Sequence, residues 1–190
     1  MLVLASASPR RRELLALAGL CFEVHPANIP EDLLPDEEPV AYVTRLAREK
    51  AEHVYGQLAQ TRPEKNLVVL GADTTVTFDG HILGKPEDAA DAARMLRLLS
   101  GRAHRVATGV ALASAAGTVA ACEITEVWFK PLTEDEIAAY IATGEPMDKA
   151  GAYAIQGLAA RWIPRIEGCY FNVVGLPVAR LWAMLGEVSV

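Results

Sequence analysis

Apolar and polar positions along the chain fall into blocks that switch between a two-residue and a 3.6-residue period. "LVLAS" (Leu2–Ser6) reads as a short buried strand running straight into a helix that ends near Gly19, with Ser8 as N-cap and Pro9 in the first helical position. "CFEVH" (Cys21–His25) reads as a second strand, and "PANIPEDLLPDEEP" (Pro26–Pro39) as an acidic, proline-punctuated loop too polar for a core. Val40–Gln60 has the helical period, with Val40, Val43, Ala47 and Ala51 predicted on one face. Asn66–Gly80 is a near-continuous apolar run that Gly71-Ala72-Asp73-Thr74 is expected to break. Lys85–Gly101 reads as a helix with proline near its start and glycine at its end.

The second half continues with His104–Phe129, a long antiparallel hairpin turning near Ala116-Gly117. Thr133 and Glu136 form a capping box at the head of a helix that closes on Gly144. A glycine-rich loop, strand character around Arg161–Ile166 and a last helix from about Leu176 to Leu185 complete the chain. Helices alternate with strands while the hairpin is antiparallel, so the pattern predicts a mixed α/β sheet.

Composition narrows the class. With 190 residues, 52% of them hydrophobic, one domain or two closely joined lobes is the expected organisation. A formal net charge of −6 argues against a nucleic-acid-binding protein, which presents a basic face. Cys21, Cys122 and Cys169 are odd in number and far apart, which suits free thiols in a reducing compartment. No signal-peptide pattern opens the sequence and no apolar run reaches membrane-spanning length, so a soluble, cytoplasmic protein is expected.

Against that acidic background, Arg10, Arg11 and Arg12 stand in the first turn of a helix, where cations are disfavoured by roughly 0.3–1 kcal/mol each. On a helical wheel Leu14, Leu15, Leu17 and Ala18 form the apolar stripe. Arg11 lies near its centre, Arg10 at its edge, and Arg12 points away. A strand, then Ser-x-Ser-Pro-Arg-Arg, then a helix fits an anion site built from backbone N–H groups and arginine forks; taken alone it fits better an arginine paired with Glu13 or the acidic loop. Asp73 in "GADTTV" has the placement of a catalytic carboxylate at a strand end, a general base or metal ligand with Thr74 beside it, and also that of a turn aspartate. Lys50, Lys85 and Lys149 read as phosphate-directed or as snorkelling surface lysines. In "GEPMDKAGAYAIQG" the amide of Gln156 could read a base edge, or the segment is a tight turn serving the fold. His25, His53, His81 and His104 share no ligand spacing. Any metal is therefore expected to be a hard divalent cation held by oxygens, magnesium or manganese.

Seven stretches in order resemble the Maf family of nucleoside triphosphate pyrophosphatases: "LASASPRRRELL", "YVTRLAREKA", "GADTTV", "GKPED", "LSGRAHRVATGVAL", "EPMDKAGAYAIQG" and "GCYFNVVGLP". The resemblance implies a single domain over residues 1–190, similar to ITP pyrophosphatases, with a mixed twisted sheet flanked by helices and two lobes around a central cleft. It implies hydrolysis of the α–β phosphoanhydride with a divalent cation. Asp73 matches the proton acceptor, and Ser8, Arg10, Arg11, Lys50 and Lys85 match phosphate-binding positions. Glu31 matches a carboxylate that helps hold metal with Asp73, although "NIPED" departs from the usual acidic pattern there. "DKAGAYAIQG" looks like the branch acting on dTTP and UTP, in which Arg11, Thr74 and Gln156 match the base-selecting positions. A homodimer with no nucleic-acid or membrane partner is implied as well. A rival from a different class is a nucleotide-binding regulator of septum formation without essential turnover.

Overall fold

In the computed structural model of the chain, residues 1–61 and 66–188 are described. β1 (Leu2–Leu4) leads into α1 (Pro9–Leu17), then β2 (Phe22–Val24) and the long α2 (Pro39–Thr61). β3 (Val68–Phe78) and β4 (His81–Leu83) precede α3 (Ala89–Leu99), and β5 (Ala103–Ser114) and β6 (Gly117–Trp128) form the hairpin. α4 (Glu134–Ile141), three short 3-10 segments between Glu145 and Trp162, β7 (Arg165–Glu167), α5 (Tyr170–Val174) and α6 (Val178–Glu187) follow.

Among the described residues seven strands make one sheet in the order β2-β1-β3-β5-β6-β7, with β4 beside β3. β1 runs parallel to both neighbours, pairing Leu2 with Phe22 and with Val68, while β4 and β7 pair antiparallel to β3 and β6. A mixed α/β sheet is thus what the alternation of periods predicted. By contacts the chain forms two compact units. The first is Met1–Asp73, Thr108–Glu123 and Gly175–Val190; the second is Thr74–Ala107 and Ile124–Val174.

Local signals set most element ends. Ser8 is extended (φ −60°, ψ 119°) and caps α1, with Pro9 in the first turn. Thr133 and Glu136 form the capping box of α4, and Gly144 follows at φ 74°. Other expectations are corrected. β3 runs unbroken through Gly71–Thr74, so Asp73 lies in mid-strand and not at a strand end. α3 begins at Ala89, because the Asp88 side chain accepts the Asp91 N–H and is the cap; Lys85 and Pro86 precede the helix. Residues 158–162 are a 3-10 segment, leaving only Arg165–Glu167 as strand. Val40 and Leu17 are exposed, since each stands in the end turn of its helix.

In the first unit Val3, Ala5, Val54, Leu58, Leu67 and Val69 pack together, and a second cluster is entirely alanine: Ala47, Ala51, Ala111 and Ala113. Small residues there let α2 approach the sheet closely. The core of the second unit sets an aromatic cluster beside aliphatic residues such as Leu96, Leu99 and Val127. Phe129 meets Tyr153 edge-on at 4.8 Å, Tyr140 meets Trp162 at 4.9 Å, and His104 stacks edge-on against Phe129 and Tyr153.

Candidate active site

Gly71 and Asp73 are two residues apart on β3 and share one face of the strand. A Cβ at Gly71 would lie 2.0 Å from the Ala47 carbonyl oxygen and 2.7 Å from the Ala51 nitrogen. On β5, a Cβ at Gly109 would lie 2.2 Å from the Val43 carbonyl oxygen. The backbone of α2 therefore rests directly on strand backbone, and the glycine that looked like a strand break is a packing contact.

This close approach delivers Lys50, which lies between Ala47 and Ala51 in α2. Its Nζ donates to Asp73 Oδ1 at 2.6 Å and stands 2.6 Å from Glu31 Oε1. Lys50 is 6% exposed and Asp73 8%, so Lys50 is no snorkelling surface lysine. A buried ammonium of this kind requires paired carboxylates to offset its desolvation.

The arginines of α1 separate as the helical wheel predicts. Arg11 is buried with Leu14 and Leu15, Arg10 is half-buried and Arg12 is exposed. Arg11 Nε donates to the Gly175 carbonyl oxygen at 2.9 Å, and its Nη1 donates to Ser6 Oγ at 3.1 Å. Ser6 Oγ also accepts the Ser8 N–H, while Ser8 Oγ accepts the Arg11 N–H at a long 3.5 Å. Burial lowers the pKa of Arg11, Asp73 and Glu31 oppose that shift, and Arg10 adds to it. A guanidinium stays charged throughout. The unfavourable placement of Arg11 over the helix N-terminus is thus offset by the two carboxylates whose field it shares.

Glu31 reaches Lys50 from an exposed loop, and two residues of α2 that sequence reasoning passed over hold that loop. The Tyr42 hydroxyl donates to the Glu31 carbonyl oxygen at 2.9 Å, and Arg45 Nη2 donates to the Asp32 carbonyl oxygen at 2.9 Å. Burial first, then Asp73 and Glu31, push the Tyr42 hydroxyl up to about 12, so it remains a donor. The available signal was the spacing 42, 45, 49, 50 along one side of a helix next to an acidic loop.

In the second unit, Thr74 follows Asp73 along β3 and is half-buried, Lys85 is exposed in the bend ahead of α3, and Gln156 is exposed in a turn. That turn is firmly built. The Tyr140 hydroxyl donates to Glu145 Oε1 at 2.8 Å and accepts the Ala154 N–H, and Glu145 Oε1 also accepts the Leu158 N–H. Lys149 pairs with Asp148 and donates to the Glu145 carbonyl oxygen.

Within the first unit the structure therefore brings together two cations, Arg11 and Lys50, and two carboxylates, Glu31 and Asp73. Cations of this kind hold phosphoryl oxygens, and a buried carboxylate beside them can take a proton from water. Among the described residues no group of three or more His, Cys, Asp or Glu side chains could hold a metal ion, yet Glu31 and Asp73 converge on one cationic position. Nor is any described helix long and apolar enough to cross a membrane.

The profile of the Maf family, described as Maf-like protein, matches residues 1–188. The dTTP/UTP pyrophosphatase of Koribacter versatilis is 51% identical over 189 residues, covering 100% of this chain and 95% of that protein. That of Bacillus cytotoxicus is 54% identical over 179 residues, covering 94% and 91%, and that of Shigella sonnei 50% over 188 residues, covering 99% and 93%. The Staphylococcus aureus Ham1 structure is a looser likeness, at a TM-score of 0.49 and 13% identity over 98% of each chain.

Proposed function

The chain belongs to the Maf family, and from that premise we propose that it hydrolyses dTTP and UTP to the monophosphate and pyrophosphate. The observation that carries the reading is the buried Lys50–Asp73 pair, joined by Glu31, in the same unit as buried Arg11.

In this mechanism Asp73 accepts a proton from the attacking water as its oxygen bonds to phosphorus. The phosphorus–bridging-oxygen bond of the α–β anhydride breaks, and its electron pair leaves with the bridging oxygen. Arg10, Arg11, Lys50 and Lys85 neutralise triphosphate oxygens, most strongly as charge develops in the transition state. The Ser8 hydroxyl contributes a hydrogen bond to the same group.

A divalent cation fits this donor set, because the converging oxygens of Glu31 and Asp73 suit magnesium or manganese, which one or two carboxylates plus substrate phosphate commonly hold. When bound, it supplies positive charge that polarises the phosphoryl group. Arg11, Thr74 and Gln156 are the proposed base-selecting residues; a glutamine amide matches the paired acceptor and N–H of thymine and uracil.

Incubation of the purified protein with a nucleotide panel and magnesium tests the reading. The expected products are dTMP and UMP, each with pyrophosphate. Release of orthophosphate alone would mean cleavage at the terminal phosphate and overturn the α–β assignment, and absence of turnover alongside tight nucleotide binding would transfer support to the regulator.

A further inference from the structure

The loop that carries Glu31 has almost no apolar anchorage. Residues 30–36 are exposed, Leu33 and Leu34 among them at 52% and 49%. Glu31 nevertheless places its carboxylate 2.6 Å from buried Lys50. Whatever holds Glu31 there must be polar, and it comes from α2.

Arg45 is the centre of that attachment. Its Nε and Nη2 grip the two carboxylate oxygens of Glu37 at 2.7 Å each, and Nη2 also reaches the Asp32 carbonyl oxygen. Nη1 donates to Glu49 one turn along the helix, and the guanidinium lies 5.7 Å from the Tyr42 ring centroid. Glu37 is drawn inward as well, since its Oε2 accepts the Leu34 N–H. With the Tyr42 hydroxyl on the Glu31 carbonyl oxygen, the loop is fastened at residues 31, 32, 34 and 37.

We propose that Arg45 and Tyr42 are positioning residues that strap the Glu31 loop onto α2 and so hold the Glu31 carboxylate at the Lys50–Asp73 pair. This rests on the reading of Glu31 as a member of the active site. A lysine cannot replace Arg45, because a point charge loses the two-pronged grip on Glu37, the carbonyl bond and the stacking on Tyr42. The strap acts through Glu31 alone, so its loss is silent once the Glu31 carboxylate is gone.

The test is a pair of double-mutant cycles, Glu31→Gln with Arg45→Lys and Glu31→Gln with Tyr42→Phe, read as kcat/KM for dTTP and as Mn2+ affinity from the free-ion electron paramagnetic resonance signal. Arg45→Lys is expected to reduce both quantities about 10-fold, in the range found when the partners that orient a ligating group are removed. Tyr42→Phe, which deletes only a hydroxyl, keeps the question answerable if Arg45→Lys folds poorly, and is expected to cost several-fold. In the Glu31→Gln background neither substitution adds to the loss. Additive effects, or single variants that bind and turn over as the parent does, overturn the proposal. If the parent protein hydrolyses no triphosphate, the proposed activity fails on its own, and the Mn2+ cycle still decides on the strap.

Discussion

Lys50 Nζ lies 2.6 Å from Asp73 Oδ1, and both residues are buried. Asp73→Asn keeps the shape of the side chain and leaves Lys50 its contact with Glu31, so the fold survives. Turnover is expected to fall by about 10²–10⁴-fold, the usual contribution of a positioned base, with nucleotide affinity largely retained. Steady-state kinetics paired with isothermal titration using a non-hydrolysable analogue reads both. Full activity in this variant would remove Asp73 as the base.

The three arginines of α1 should behave differently. Arg12 is exposed, and Arg12→Ala is expected to leave kcat/KM within about 2-fold. Arg11 is buried against Ser6 and Gly175; truncating a charge-assisted contact of about 1.5–3 kcal/mol corresponds to roughly 10–100-fold. Equal losses at the two positions would contradict the separation seen in the helix.

Two glycine-to-alanine changes should have opposite signs. At Gly71 the new methyl would sit 2.0 Å from the Ala47 carbonyl oxygen, so α2 must move. A cost of about 3 kcal/mol and a Tm lower by about 6–12 °C are expected. At Gly56, on the exposed side of the same helix, a Cβ meets nothing within 4 Å. There alanine should stabilise by up to about 1 kcal/mol. Thermal denaturation of the two variants side by side decides the matter.

His104 supplies a pH dependence. It is 2% exposed, its Nε2 lies 2.8 Å from the Tyr153 hydroxyl, and burial pulls its pKa down from 6.5 to about 3. Between those values the unfolded chain binds a proton that the folded chain does not. Stability attributable to this site is therefore complete above about pH 6.5 and declines as pH falls towards 3, by up to about 1.4 kcal/mol per unit. Urea denaturation of the parent and His104→Gln from pH 7 to 4 should show a shallower decline in the variant. Parallel profiles would mean that His104 is not neutral in the fold.

The parts legible in the sequence were those set within one helical turn or one strand. Ser8 and Pro9 announce α1 through their own dihedral preferences, Thr133 and Glu136 announce α4, and the wheel separates Arg11 from Arg12 because three successive helical positions point in three directions. The failures that bear on the site are non-local. Gly71 was expected to break a strand because glycine does so in isolation; its task is set by Ala47 and Ala51, far earlier in the chain on α2. Lys50 read either as phosphate-directed or as a surface lysine, and its burial follows from how near its helix comes to β3, which nothing local records. At the start of α3, proline and aspartate were competing signals, and the side-chain bond of Asp88 prevailed. Tyr42 and Arg45 stand within a family motif, but their task is not readable there, since their partners lie across a loop of irregular backbone.

α2 binds the first unit together and also builds its chemistry. One side buries Val43, Ala47, Ala51, Val54 and Leu58, with Lys50 among them; the neighbouring side presents Tyr42 and Arg45 to the acidic loop. On the proposed site, catalysis and cohesion share this one helix. Turnover through a denaturation curve is therefore expected to be lost no later than α2 melts.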